Sequence, residues 1–187
     1  MKKIYTAFLL LALLTFLLNS CLNVERKEYT VKLNPDNSGS MTIKYVNIIS
    51  TEEEEKDVSM KDFATLITDY YEGDKATESF VGATNIDKRL FEENGVLCAE
   101  VKFDFDTLGT SNIFQYDKKS PYMAALNEKF DSEAFEWTNG EYGLSGLNLI
   151  FWNNSINELK WKTTVTTDLT GAQSLLKKYN SWKNEQE

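Results

Sequence analysis

Two periodicities alternate along the chain and sort it into elements. From Glu28 to Leu33, Tyr29, Val31 and Leu33 fall on one side, the period of two expected of a strand with one buried face. Asn34-Pro35-Asp36-Asn37-Ser38-Gly39 is dense in turn residues, and Ser40 to Ile49 alternates again through Met41, Ile43 and Tyr45. The pair reads as a hairpin. From Ser59 the period lengthens. Phe63, Leu66, Ile67 and Tyr70 recur at helical spacing, with Ser59 as the expected N-cap, Asp62 three residues on, and Gly73 as the stop. Asn85–Glu92 and Val96–Asp106 flank Asn94-Gly95, a dipeptide suited to a tight turn with positive φ. On the second of these strands Leu97, Ala99, Val101, Phe103 and Phe105 face one way and Cys98, Glu100, Lys102 and Asp104 the other.

The second half is less regular. Ile113, Phe114 and Tyr116 fit a short strand, and Ser120-Pro121 predicts the start of a short helix running to about Asn127. Glu133 to Trp137 alternates, Asn139-Gly140 reads as a second hairpin-type turn, and Leu147 to Trp152 is a short apolar strand. Ile156 to Thr166 returns with Leu159, Trp161, Thr163 and Val165 on one face. Thr170 with Gln173 predicts a capping box for a final helix whose stripe is Leu175, Leu176, Tyr179 and Trp182. This order predicts an α+β fold, a largely antiparallel sheet with two or three helices packed on one face. It forms a single domain over residues 28–183, followed by a polar tail over 184–187.

The first residues follow a different pattern. Lys2 and Lys3 precede a fifteen-residue apolar run, Ile4 to Leu18. That run is too short for a bilayer, which takes about 20 residues, and has the form of a signal peptide over residues 1–20 that is removed. Leu18-Asn19-Ser20-Cys21 resembles the lipobox of bacterial lipoproteins: an aliphatic residue, a small residue before the cut, then cysteine. Asn19 departs from the small or aliphatic residue usual at its position. The resemblance implies cleavage between Ser20 and Cys21, a thioether-linked diacylglycerol on Cys21, and an acylated new N-terminus, so that the membrane is the partner. Each buried methylene contributes about 0.8 kcal/mol, and a multiply acylated cysteine anchors stably. Leu22 stands where the inner-membrane retention signal of enteric bacteria has Asp; by that likeness the outer membrane is the expected destination within the envelope. Residues 21–27 are then the lipidated cysteine and a short tether. The opening Glu28-Tyr29-Thr30-Val31-Lys32-Leu33-Asn34-Pro35-Asp36-Asn37-Ser38-Gly39-Ser40 is also similar to the start of LppM-like envelope lipoproteins, whose α+β domain has been discussed as a lipid-binding module.

Composition narrows the chemistry. The 187 residues are 42% hydrophobic, too apolar for general disorder, and contain no histidine. That excludes His-based triads, Cys-His dyads and His-ligated zinc. Net charge is −9; removing residues 1–20, with two lysines and no acids, takes it to −11. Nucleic acid, which needs a basic footprint, is not an expected partner, and the protein surface does not hold anionic lipid. With Cys21 acylated only Cys98 remains; it is read as a buried apolar residue, with no disulfide to support the core. Glu52–Glu55 reads as a solvated run, and Asp36-Asn37-Ser38-Gly39 as a turn, lacking the spacing of a calcium loop. No nucleotide or hydrolase fingerprint is present, so no cofactor, metal or catalytic residue is expected. Trp137, Trp152 and Trp161 are the candidates for a ligand surface, with Trp152, beside Asn153-Asn154, expected to be the most exposed. Three readings follow, in this order: a non-enzymatic lipid-anchored envelope protein acting through protein contacts, a carrier holding a lipid or other apolar ligand between sheet and helices, and last a hydrolase working with carboxylates alone.

Overall fold

The computed structural model describes residues 21–51, 56–126, 133–143 and 147–186. The expected signal peptide, the Glu52–Glu55 run and Asn127 lie outside the described residues. The rest is mostly antiparallel sheet with two helices.

Six strands form the main path of the large sheet, in the order β3-β4-β2-β1-β9-β6. They are β1 (Leu22–Leu33), β2 (Gly39–Ser50), β3 (Thr84–Glu93), β4 (Val96–Phe105), β6 (Ala134–Thr138) and β9 (Glu158–Thr164). The short β10 (Gln173–Ser174) pairs with the end of β2. A second sheet, β5-β8-β7, joins β5 (Tyr122–Ala125), β8 (Leu149–Trp152) and β7 (Glu141–Tyr142). Helix α1 (Ser59–Thr65) continues as one π-helical stretch, Leu66–Glu72, and α2 (Leu176–Gln186) ends the described chain.

The two hairpins form as expected. β1 and β2 pair from Leu33↔Gly39 to Leu22↔Ser50, and β3 and β4 close at Glu93↔Val96 around Asn94 (φ 53°) and Gly95 (φ 78°). All five non-glycine residues with positive φ among those described are asparagines, whose short polar side chain tolerates that region. Asn47 (φ 57°) has a structural effect: the alternation Met41, Ile43, Tyr45 breaks there, and Ile48 rejoins the buried set.

Several expectations are corrected. Leu22 to Lys27, read as a tether, is strand: β1 opens directly after Cys21. The helix expected from Ser120 is strand β5, because alternating Tyr122 and Ala124 are buried against β8; Pro121 precedes the strand. Phe114 makes only a single bridge, to Met123. Asn139-Gly140 is not a hairpin turn; it passes the chain from β6, paired with β9, to β7, paired with β8. A Cβ on Gly140 would meet the Phe151 carbonyl and the Trp152 ring, so only glycine fits there. The capping box at Thr170 does not form. Residues 173–174 are strand, and the Leu176 N–H is met by Ser174 Oγ at 3.3 Å. Ser59 is not the N-cap of α1 either; Asp57 accepts its N–H at 2.9 Å, leaving Asp62 for other partners.

Two apolar clusters share β2 and β4. One gathers Tyr29, Met41, Ile43, Phe103, Trp152 and Trp161 with the small sheet. The other gathers Ile48 and Leu97 with Phe63, Leu66 and Tyr179 of the helical segments and with Leu175, just before α2. Tyr45 packs against both.

Candidate functional site

A cavity of about 270 Å³ lies where the two clusters meet. Its walls are mostly apolar: Leu22 and Val24 of β1, Leu66 and Tyr70 of the π-helical stretch, and Leu90 and Ala99 of β3 and β4. Polar side chains also line it, among them Lys27, Tyr45 and Lys88, together with Asn23 and the mutually paired Arg89 and Glu100. Each is placed by strand register. Lys27 pairs with Tyr45 across β1 and β2, and Lys88 lies opposite Val101 on β4.

The polar groups are fixed from behind. Glu133, its side chain only 2% exposed, sits just before β6 and accepts Lys27 Nζ at 2.6 Å and the Tyr29 hydroxyl at 2.8 and 2.9 Å. The Thr163 hydroxyl also donates to it. A buried carboxylate is tolerable because a cation and two hydroxyls meet it. Burial pushes the Tyr29 phenol well above its ordinary value, and the neighbouring Glu133 charge adds to this. Burial likewise pushes Tyr45 up, again with Glu133 contributing. The Lys27 ammonium lies 5.7 Å from the Tyr45 ring centre. Lys88 donates to the carbonyls of Tyr70, at 3.1 Å, and Gly73, so it closes the end of the π-helical stretch against β3.

Cys21 has a built environment of its own. Its N–H donates to Asp62 Oδ1 at 3.2 Å, and its carbonyl accepts the Thr51 N–H at 2.9 Å and the Thr51 hydroxyl at 3.0 Å. Asp62 Oδ2 accepts the Ser50 hydroxyl at 2.6 Å. The acid that the sequence pattern assigned to helix capping is therefore turned toward the start of β1. Ser20 lies outside the described residues.

The three tryptophan candidates separate. Trp152, expected to be the most exposed, is 1% exposed, as is Trp161; both belong to the core. The reason is pairing: β8 runs between β5 and β7, and Trp152 packs on Trp161 with ring centres 5.6 Å apart while its Nε1 donates to Asn139 Oδ1 at 2.8 Å. Trp161 in turn stacks on Tyr29 at 4.5 Å. Trp137 is 45% exposed and lies on β6, outside the cavity lining. Cys98 is buried, and burial pushes its thiol up, which suppresses the nucleophilic thiolate. Sequence reasoning missed Glu133, Lys27, Tyr45 and Lys88. Lys27 and Lys88 stand in strands rich in charged residues, so nothing in the local pattern singled them out. Among the described residues no group of three or more Cys, Asp or Glu could hold a metal ion.

No family model matches the chain, and no curated protein or solved structure matches it.

Proposed function

We propose that this is a lipid-anchored protein of the bacterial cell envelope, attached through acyl chains on Cys21 to the outer membrane. In this reading its α+β domain, with the helices packed on one face of the sheet, holds a small amphipathic ligand rather than catalysing a reaction. The cavity carries the reading. It lies between sheet and helical segment, its walls are mostly apolar, and the polar side chains lining it include Lys27, Tyr45 and Lys88, with Arg89 already paired to Glu100. The Lys27 charge is answered by Glu133, whereas the Lys88 ammonium is met by two carbonyls. That imbalance favours an anionic head on the apolar body. The likeness of the Glu28–Ser40 segment to LppM-like lipoproteins points the same way.

Native mass spectrometry of residues 21–187, purified without denaturation, tests this. A bound mass that disappears on organic extraction supports it, as does binding of 1-anilinonaphthalene-8-sulfonate that is lost in Ala99→Phe, which fills the cavity. A clean apo mass with no dye binding overturns it. A contact role in envelope assembly is the second reading. It is favoured by Trp137, Tyr142 and Leu147, which are exposed around β6 and β7 where Phe135 stacks on Tyr142 at 3.8 Å. Crosslinking through position 137 in the intact envelope distinguishes it.

A further inference from the structure

Asp62 is 0% exposed and Ser50 1%, yet neither serves a helix cap. Both carboxylate oxygens of Asp62 are engaged where β1 begins beside the end of β2: Oδ2 receives the Ser50 hydroxyl, and Oδ1 receives the backbone N–H of Cys21. Thr51 holds the carbonyl of the same residue with two donors. Cys21 is thus gripped on both sides of its Cα by side chains and backbone from the end of β2 and from α1. Burying a carboxylate costs free energy unless a donor compensates. Its position is set by the packing of α1, through Phe63 and the following Leu66, against Ile48 and Leu97.

We propose that Asp62, with Ser50 and Thr51, is a binding site for the α-amino group of the mature chain. The proposal rests on the cleavage before Cys21 proposed above. Hydrolysis of the Ser20–Cys21 peptide bond adds one water: Ser20 leaves as a carboxylate and Cys21 keeps a protonated primary amine. The N–H already directed at Oδ1 then becomes one hydrogen of an ammonium, and a bond charged on its acceptor alone becomes an ion pair charged on both sides. Acylation of that nitrogen returns a single neutral N–H. The site therefore takes the primary α-ammonium that cleavage releases, before that nitrogen is acylated, and discriminates the free N-terminus from the acylated one. It also clamps the lipid-bearing residue to the sheet instead of leaving it on a leash.

The test uses the chain from residue 21, within which the whole described fold lies, carrying Cys21→Ser to remove the thiol. It is prepared with a free α-amine and with an acetylated one, each with and without Asp62→Asn. Acetylation is expected to lower the melting temperature by about 2–6 °C when Asp62 is present, and to change it little in D62N. An equal shift in both backgrounds overturns the site. Should D62N fail to fold, the reaction of the native α-amine with an acetylating reagent at neutral pH decides. A rate about tenfold or more below that of the denatured chain supports the clamp, and equal rates overturn it. The mass of the protein from its own membrane separates the two claims. An uncleaved chain overturns the processing reading, whereas a failed acetylation comparison overturns the Asp62 site alone.

Discussion

Replacing Glu133 by alanine removes the one acceptor shared by Lys27, Tyr29 and Thr163. Deleting one partner of a buried ion pair costs about 3–5 kcal/mol. Lys27 is 23% exposed on its side chain and can turn toward water, which places its share at the low end. Tyr29 and Thr163 have no such escape, at 2% and 0% exposure. Each hydroxyl that loses this acceptor costs about 1–3 kcal/mol, less where Tyr29 and Thr163 bond to each other or water enters the space left by the carboxylate. With that partial refilling we expect a loss of about 3–4 kcal/mol. For a domain of this size the melting temperature falls by about 2–4 °C per kcal/mol, so by about 6–16 °C in total. Glu133→Gln keeps the shape and one acceptor and is expected to lose about 1–2 kcal/mol. Urea denaturation followed by the fluorescence of Trp152 and Trp161 measures both, with the m-value as the check that the unfolded state is unchanged. In a cycle with Lys27→Met, the two losses should fall short of additivity by about 1 kcal/mol or more. A loss below about 1 kcal/mol for Glu133→Ala, with no coupling to Lys27, would refute the claim that this carboxylate organises the polar end of the cavity.

Tyr29 and Tyr45 have folded-state values raised above the ordinary value of about 10, so the folded state favours their neutral forms. Their contribution is complete below pH 10 and is lost as the pH rises above it, because the unfolded chain ionises first. Tyr45→Phe is expected to flatten the alkaline limb of a stability–pH curve. Cys98 should be alkylated only through unfolding; in a Cys21→Ser background at pH 8 its labelling rate is expected to track urea stability, and fast labelling of the native chain would contradict its burial. Trp161→Ala is expected to cost about 3–5 kcal/mol, against within about 0.5 kcal/mol for the exposed Trp137→Ala, read as denaturation midpoints. Lys88→Met should weaken 1-anilinonaphthalene-8-sulfonate binding severalfold while leaving the affinity for uncharged apolar probes unchanged.

Local pattern carried the hairpins because each is closed by its own turn chemistry. Asn94-Gly95 requires positive φ at both positions, and the alternation on β4 then fixes which residues face the core. Where pairing partners are distant, local signals misled. Ser120-Pro121 looks like a helix start by every short-range rule, but Tyr122–Ala125 gains more by pairing with β8, well over twenty residues on. Trp152 looked exposed beside Asn153-Asn154, and only the contact with Trp161 and the bond to Asn139 place it inside. The polar end of the cavity was illegible for the same reason. Glu133 meets Lys27 across 106 positions of sequence, and no periodicity links them. Cys21 could be singled out from its short motif, but its grip by Asp62 depends on the packing of α1.

The last residues of β2 are bordered by both extremes of the described chain. Ser50 and Ile49 pair on one side with Leu22 and Asn23, and on the other with Gln173 and Ser174. A chain threaded through a membrane from its N-terminus presents the first of these neighbours early and the second only near the end. The ladder around Ser50, and the α2 packing that follows it, must wait for the final segment, a closure of very long sequence separation that slows folding. An anchored chain would meanwhile have the start of its sheet at the bilayer with one flank still open. For a chain so anchored, the strand edge most able to pair wrongly would be exposed longest where neighbouring copies on the same membrane are most concentrated.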